Sequence, residues 1–368
     1  MASPEILELE SLLSPISDEN PAGVDIRQDT SPDSAYQTIK SARNAARAAE
    51  RQHIHEGPCT EAEPHWRKIA TLAPQILTKN AKDLEVASWY TESLVRQYGF
   101  QGLRDAFKLL HGLVAQYWDN LYPMPDEDGL ETRVACVAGL NGEGAEGVLI
   151  APIRKVDITQ GENPGPFSYW HYKMVLDAQK IAEDAARKTK LQKLGYSLDD
   201  VKKSVAASSD TFFVDLRDDL QICIDEFKKL GLLLDGHCGT HNAPPTRTVI
   251  EVLEECLGAV SHLGKDKFPV EVEPEPTEET AGEAGAPGQT AAPAAKGGPI
   301  NSREAAFKQL EEIAAYFRKT EPHSPISYVL EKALKWGNMS LAELIAELIP
   351  DANSRERFSE LTGVRKDN

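Results

Sequence analysis

Four clusters in this 368-residue chain hold side chains that can do chemistry. Gly142-Glu143-Gly144-Ala145-Glu146-Gly147 matches GxGxxG, the glycine pattern of a dinucleotide loop. That loop works after a strand and before a helix, where its backbone N–H groups meet a pyrophosphate. Here a helix-like segment precedes it and a strand-like one follows. Glu143 and Glu146 would also face the phosphates with like charge, so the segment reads as a flexible turn. His53, His55, Cys59 and His65 carry zinc-type donors. Their spacing matches no closed structural site, and Pro58 and Pro64 mark an irregular loop. His237, Cys238 and His241 form a second cluster of the same kind. Both read as solvated loop side chains, and no metal is expected. Asp126-Glu127-Asp128 offers oxygen ligands for calcium. An EF-hand loop closes on glutamate at its twelfth position, which here falls on Val137, so the run reads as an acidic turn capping the next helix.

No GxSxG, P-loop or HExxH occurs, so no positive sign of catalysis is present and no cofactor is expected. The competing enzyme class would have to be metal-assisted, through His53, His55 and His65. Five cysteines (Cys59, Cys136, Cys223, Cys238, Cys256) without a CxxC fit reduced thiols. The balance of 40 basic against 58 acidic residues, −18 in all, disfavours nucleic-acid and anionic-membrane binding. A local basic patch remains compatible with that balance. No window offers the roughly 18 apolar residues of a spanning helix, and the N-terminus has no basic and apolar leader. A cytoplasmic protein with no direct membrane insertion is expected.

The elements that would position these groups are mainly helical. Trp66, Ile69, Ala73, Ile76 and Leu77 recur at helical spacing, as do Leu84, Ala87, Leu94 and Val95, then Leu103, Phe107, Leu110, Leu113 and Val114. Asn80 to Asp83 and Gly99-Phe100 separate them as turns. The fold class is therefore mainly α, with antiparallel helical hairpins in the N-terminal block. A short β or extended element is expected near 148–159, where Val148, Ile150, Ile153, Val156 and Ile158 are β-branched and Pro152 confines it to an edge. The expected domains are 1–160, helical; 167–268, a middle helical domain; 269–300, a flexible linker; and 301–368, a small helical C-terminal unit. The linker is dominated by Pro, Glu, Ala and Gly and holds too little apolar surface to offset its ordering entropy.

The C-terminal unit has sharp local signals. Ser302 caps one helix, Ser324 with Pro325 opens a second, and Gly337 stops it. Ser340-Leu341-Ala342-Glu343 is a capping box with Met339 and Leu344 as its hydrophobic staple. A unit this small folds only marginally alone. Phe307, Phe317, Tyr328, Leu330, Trp336, Leu341 and Leu344 are therefore candidates for an interface with further copies of the chain.

Several phrases resemble a known family. Asn20-Pro21-Ala22-Gly23-Val24-Asp25-Ile26-Arg27 resembles the opening of the ImpA N-terminal domain, and Lys82-Asp83-Leu84-Glu85-Val86-Ala87-Ser88-Trp89 its middle. Tyr117-Trp118-Asp119-Asn120-Leu121-Tyr122-Pro123, with Asp126 to Gly129 and Arg133, resembles its most distinctive part. The tail phrases Pro322 to Tyr328 and Lys335-Trp336-Gly337 are similar to the carboxyl end of shorter TssA proteins. The chain is identified as a member of the TssA (ImpA) family of the bacterial type VI secretion system. That resemblance implies a non-enzymatic assembly protein whose C-terminal region forms a ring-like homo-oligomer and which contacts baseplate, tube and sheath proteins. One kind of TssA sits at the baseplate and a longer kind caps the distal end of the sheath; the short C-terminal block favours the first, and a monomeric adaptor is a further alternative. Within the phrases Asp25, Arg27, Trp118, Asp126, Asp128 and Arg133 are structural or partner-contacting, with Trp118 reading as core.

Overall fold

The computed structural model describes residues 2–52, 59–127, 129–239, 242–268, 303–320 and 326–337, with five further positions up to 351. The chain divides into two compact units, Met1–Pro274 and Glu275–Asn368. Among the described residues there is no sheet, only isolated bridges between loops. The stretch 269–300 read as a linker lies outside the described residues.

In the first unit, α1 (Leu9–Leu13) is a short entry turn, and α2 (Ala35–Gln52) follows a loop. Helix α3 (Glu63–Lys79) carries Pro64 near its first position, where no intrahelical N–H bond is lost. It buries Trp66, Ile69, Ala73, Ile76 and Leu77, the stripe read from spacing. Helix α4 (Leu84–Tyr117) is the spine of the unit. The turn expected at Gly99 is a break within this one long element: Gly99 sits at φ 57°, ψ −139° between two helical runs. A Cβ there would lie 2.9 Å from Val156 Cγ1, so both backbone sign and space require glycine.

Helix α5 (Leu130–Asn141) leads into the glycine-rich turn, and α6 (Ile150–Lys155) follows it. This corrects the expected β element near 148–159, since its centre is helical. Pro152 falls in the first turn of α6, where backbone N–H groups have no intrahelical partner. Ile150 and Ile153 stand three apart and are both buried, so packing overrides β propensity. Only the following residues are extended, and Asp157 forms an isolated antiparallel bridge with Ser168.

Helices α7 (Tyr169–Gln179) and α9 (Leu198–Ala207) each begin with a serine capping box, at Ser168 and Ser197, with α8 (Asp184–Leu194) between them. Helix α10 (Asp210–Cys238) packs along α4, with Phe107 against Phe227 at 4.5 Å between ring centroids. Helix α11 (Arg247–Leu263) packs against α10 and is keyed to α5 by Asn141, whose Oδ1 accepts from Val249 N at 2.9 Å.

The second unit contains α12 (Arg303–Thr320) and α13 (Ile326–Gly337), which pack on one another. Ala314 and Ser327 are buried between them, and Arg318 pairs with Glu331. Phe307 covers Gly337 so closely that any Cβ at Gly337 would strike the ring.

Candidate functional site

The family phrases, distant in sequence, converge at the start of α4. Backbone bonds stitch them in order. Lys82 N donates to Ala22 O at 2.8 Å, Tyr122 N to Lys82 O at 3.0 Å, and Leu84 N to Tyr122 O at 2.7 Å. Gly23 lies against the Asn80 carbonyl at φ +76°, and a Cβ would collide with that backbone.

Charged side chains lock this junction. Asp25 Oδ1 accepts from Arg27 N at 3.0 Å, which fixes a single turn of 3-10 helix. Arg27 then reaches Asp83, at 2.6 and 3.3 Å, and Glu85 at 2.6 Å. Its guanidinium also lies over the Tyr36 ring at 4.8 Å, and the Tyr36 hydroxyl donates to Glu85 at 3.1 Å. Asp83 is fully buried and caps α4 by accepting from Val86 N at 3.0 Å. Burial works against the Arg27 charge, but Asp83 and Glu85 more than offset it and hold the guanidinium above its usual pKa. Burial pushes the Asp83 carboxyl up against the pull of Arg27.

Beside it, Lys82 is buried with its ammonium donating to Leu12 O and Leu77 O, both at 2.7 Å. Burial lowers it to about 8. Its charge faces the Tyr117 ring at 5.6 Å, and the Tyr117 hydroxyl donates to Leu13 O at 2.6 Å.

Arg133 organises the third phrase. It donates to Trp118 O at 2.7 Å and Pro123 O at 3.1 Å and stacks over the Trp118 ring at 5.0 Å. The other neighbour of Trp118 is His237 at the end of α10, stacked at 4.4 Å. Trp118 is thus half-buried, wedged between an arginine and a histidine. Asp126 accepts from the Thr132 hydroxyl in the first turn of α5 at 2.5 Å. Asp128 lies outside the described residues.

A second buried charge cluster escaped the sequence reading. Arg104 on α4 binds Asp105 at 2.8 Å and Asp219 of α10 at 2.5 Å, and its remaining donors take the carbonyls of Ser3 and Pro4. Asp105 also accepts from the backbone N–H groups of Ile6 and Leu7, at 2.6 and 3.2 Å. The chain's first residues are held onto the spine in this way. The one available signal was an Arg-Asp pair inside an apolar stripe.

Among the described residues the other candidates do not assemble into a reactive site. Gly142 to Gly147 is a turn between two helices, α5 and α6. Among the described residues no group of three or more His, Cys, Asp or Glu is placed to hold a metal ion. His53, His55 and His241 lie outside the described residues. Burial pushes the Cys136 thiol up to about 12, and Cys223, Cys238 and Cys256 are also raised, chiefly by burial. A thiol held protonated at neutral pH is a poor nucleophile. No described helix is long and apolar enough to cross a membrane.

In the second unit, Phe307, Phe317, Leu330, Trp336 and Leu344 are half-buried within their own unit, Tyr328 is exposed, and Leu341 lies outside the described residues. Trp336 Nε1 donates to Glu347 at 3.2 Å, and Lys335 pairs with the same carboxylate. Ile313, Tyr316, Ile326 and Val329 present further apolar surface to solvent.

The helical region tied together through these phrases coincides with a family match: residues 13–142 match the model described as ImpA, N-terminal, type VI secretion system. The chain is similar along almost its whole length to a TssA protein: it is 24% identical to the type VI secretion system component TssA1 of Pseudomonas aeruginosa, over 97% of this chain and 99% of that protein. Its fold also matches a solved N-terminal domain, including the conserved ImpA_N region, of the TssA component from Burkholderia cenocepacia. That likeness has a TM-score of 0.57 at 23% identity and covers 71% of this chain and 94% of the other.

Proposed function

We propose that this protein is a non-enzymatic assembly component of a type VI secretion system. The observation that carries the reading is the end-to-end similarity to TssA1, with an ImpA N-terminal domain at residues 13–142. In this reading the C-terminal unit forms a ring-like homo-oligomer and the N-terminal unit recruits baseplate, tube and sheath proteins in the cytoplasm. Two physical features support it. The polar groups of the N-terminal junction are spent on holding loops to α4, which suits a rigid recruiting surface. Exposed Ile313, Tyr328 and Val329 leave the small C-terminal unit with apolar surface for further copies to cover. Repeated tethered copies raise the effective concentration at repeated partner sites, so weak contacts sum to firm attachment. The short C-terminal block favours the baseplate over the distal end of the sheath.

The test is the solution mass of the full chain and of residues 1–268, by light scattering on a sizing column. A large assembly that collapses to monomer or dimer without the tail is expected. A full-length monomer at micromolar concentration rejects the ring and leaves the adaptor. Excess isolated 301–368 should also break up the full-length ring; an unchanged mass, with subunit exchange demonstrated, places the interface elsewhere.

A further inference from the structure

Helix α2 sets Lys40, Arg43, Arg47 and Arg51 at intervals of three and four, which aligns them along one face. Arg96 joins this stripe from α4. Among the described residues the carboxylates there are fewer than the arginines. Glu92 is fully buried and accepts from Arg43 Nε at 2.6 Å, while Glu50 takes Arg96 at 2.6 and 2.8 Å. Among the described residues four arginines thus share two carboxylates. Arg47 has no ion pair or hydrogen bond among the described residues. Burial lowers its guanidinium pKa; Glu92 opposes that, and Arg43, Arg51 and Arg96 reinforce it. Glu92 Oε2 is itself buried without a partner. Elsewhere in the unit Arg27 and Arg104 have their donors occupied by carboxylates or carbonyls, Arg133 reaches two carbonyls and Met124 Sδ, and the buried Nε of Arg154 has no partner.

We propose that this face of α2 docks an acidic helix of a partner protein, with carboxylates four residues apart lying against Arg43, Arg47 and Arg51. The fit rests on charge and spacing. Guanidinium groups pair with carboxylates through two parallel hydrogen bonds, and a helix with acids at every fourth position repeats the pitch of α2. A net charge of −18 opposes approach by a long polyanion such as nucleic acid, whereas a short acidic segment meets mainly the local field. This docking surface does not depend on the secretion-system reading.

The experiment is a fluorescence anisotropy titration of the full chain into a labelled helical peptide. The peptide carries Glu at three successive fourth positions on an Ala and Gln background, and the titration runs at low salt, about 50 mM, where screening is weak. Saturable binding is expected, weakened at least tenfold by Arg47→Glu with Arg51→Glu, and less by the corresponding Gln pair. Lys188→Glu with Lys190→Glu, on exposed positions of α8, should leave it unchanged. Circular dichroism melts establish that each variant is folded; should the Glu pair unfold, the Gln pair carries the comparison. The proposal is overturned by any of four results. These are no saturation by millimolar protein, equal binding of a peptide with Gln in place of Glu, equal loss in the α8 control, or tighter binding of a short DNA duplex than of the peptide.

Discussion

Arg27 and Asp83 lie 56 residues apart in the chain and meet at 2.6 Å at the first turn of α4. The same Asp83 carboxylate caps the helix through Val86 N, so one buried group both starts the spine and anchors the loop that crosses it. The pairing couples a local decision, where the helix begins, to a distant one, where residues 20–28 lie. Their bond therefore sets the geometry of the whole junction.

Removing one member should cost more than removing both. Arg27→Met leaves Asp83 buried without a counter-charge, and breaking such a pair costs about 3–5 kcal/mol. The pH dependence follows from the direction of the Asp83 shift. Its folded pKa is raised above the ordinary 3.8, and losing Arg27 raises it further. A carboxyl of that kind is tolerated when protonated and penalised when ionised, so the deficit relative to the parent is full at pH 7 and shrinks as pH falls towards the unfolded value. Adding Asp83→Asn should recover part of the loss at pH 7. Urea melts at pH 7 and pH 5 read both effects; a deficit independent of pH, with no recovery in the double variant, refutes the account.

Much of the helical scaffold was legible in the sequence: the stripe of α3 buries one face and repeats at helical spacing, and the apolar residues of α4 keep that spacing although its first half is buried on nearly every side. Ile150 to Lys155 was not, because β-branched residues and a proline carry a local β signal that packing reversed. The family phrases located the junction but not its chemistry. Asp83 and Lys82 stood in a recognised phrase, yet nothing local shows that they are buried or that their partners are Arg27, Leu12 and Leu77. Arg104 and Asp219 were missed for the same reason: a bond between α4 and α10 has no signature within either helix. Arg133 was singled out, and its role as a brace for Trp118 emerged only from the fold.

Lys82 should make stability rise with pH. Its folded pKa is lowered to about 8 from 10.5, so between those values the unfolded chain binds more protons than the folded one. Stability contributed by this group therefore increases across that window, by at most about 1.4 kcal/mol per pH unit. The raised thiols and tyrosines act in the opposite direction at alkaline pH, so the comparison must be with Lys82→Met. The stability gap between parent and variant is expected to widen in the parent's favour from pH 8 to pH 10. A gap that stays constant in denaturant melts would mean that Lys82 keeps its ordinary pKa.

Arg104→Met should release the N-terminal segment. The substitution strips the counter-charge from Asp105 and Asp219 and the donors from Ser3 O and Pro4 O. A loss of about 3–5 kcal/mol is expected on the buried-pair argument. Hydrogen exchange at the Ile6 and Leu7 amides should speed up more than exchange in α11, which does not touch this cluster. Asp219→Asn should be milder, since Asp105 still holds the guanidinium. Uniform acceleration throughout the unit would indicate global destabilisation without a local strap.

The exposed apolar side chains of the C-terminal unit allow folding to be tested apart from the proposed association. Ile313 and Val329 are 44% and 63% exposed, so neither holds α12 against α13 to any great extent. Charging them should leave helix content intact while placing carboxylates where another copy would have to desolvate them, a cost of several kcal/mol per unpaired buried charge. Ile313→Glu with Val329→Glu is therefore expected to lower the full-length mass in light scattering with little change in circular dichroism. Phe307→Ala should behave differently. That ring covers Gly337 within the unit, so its loss should first reduce the unit's thermal stability, by about 2 kcal/mol for a half-buried aromatic. Association would then weaken only as the unit itself melts. An unchanged mass with the charged pair in place would refute Ile313 and Val329 as part of the proposed interface.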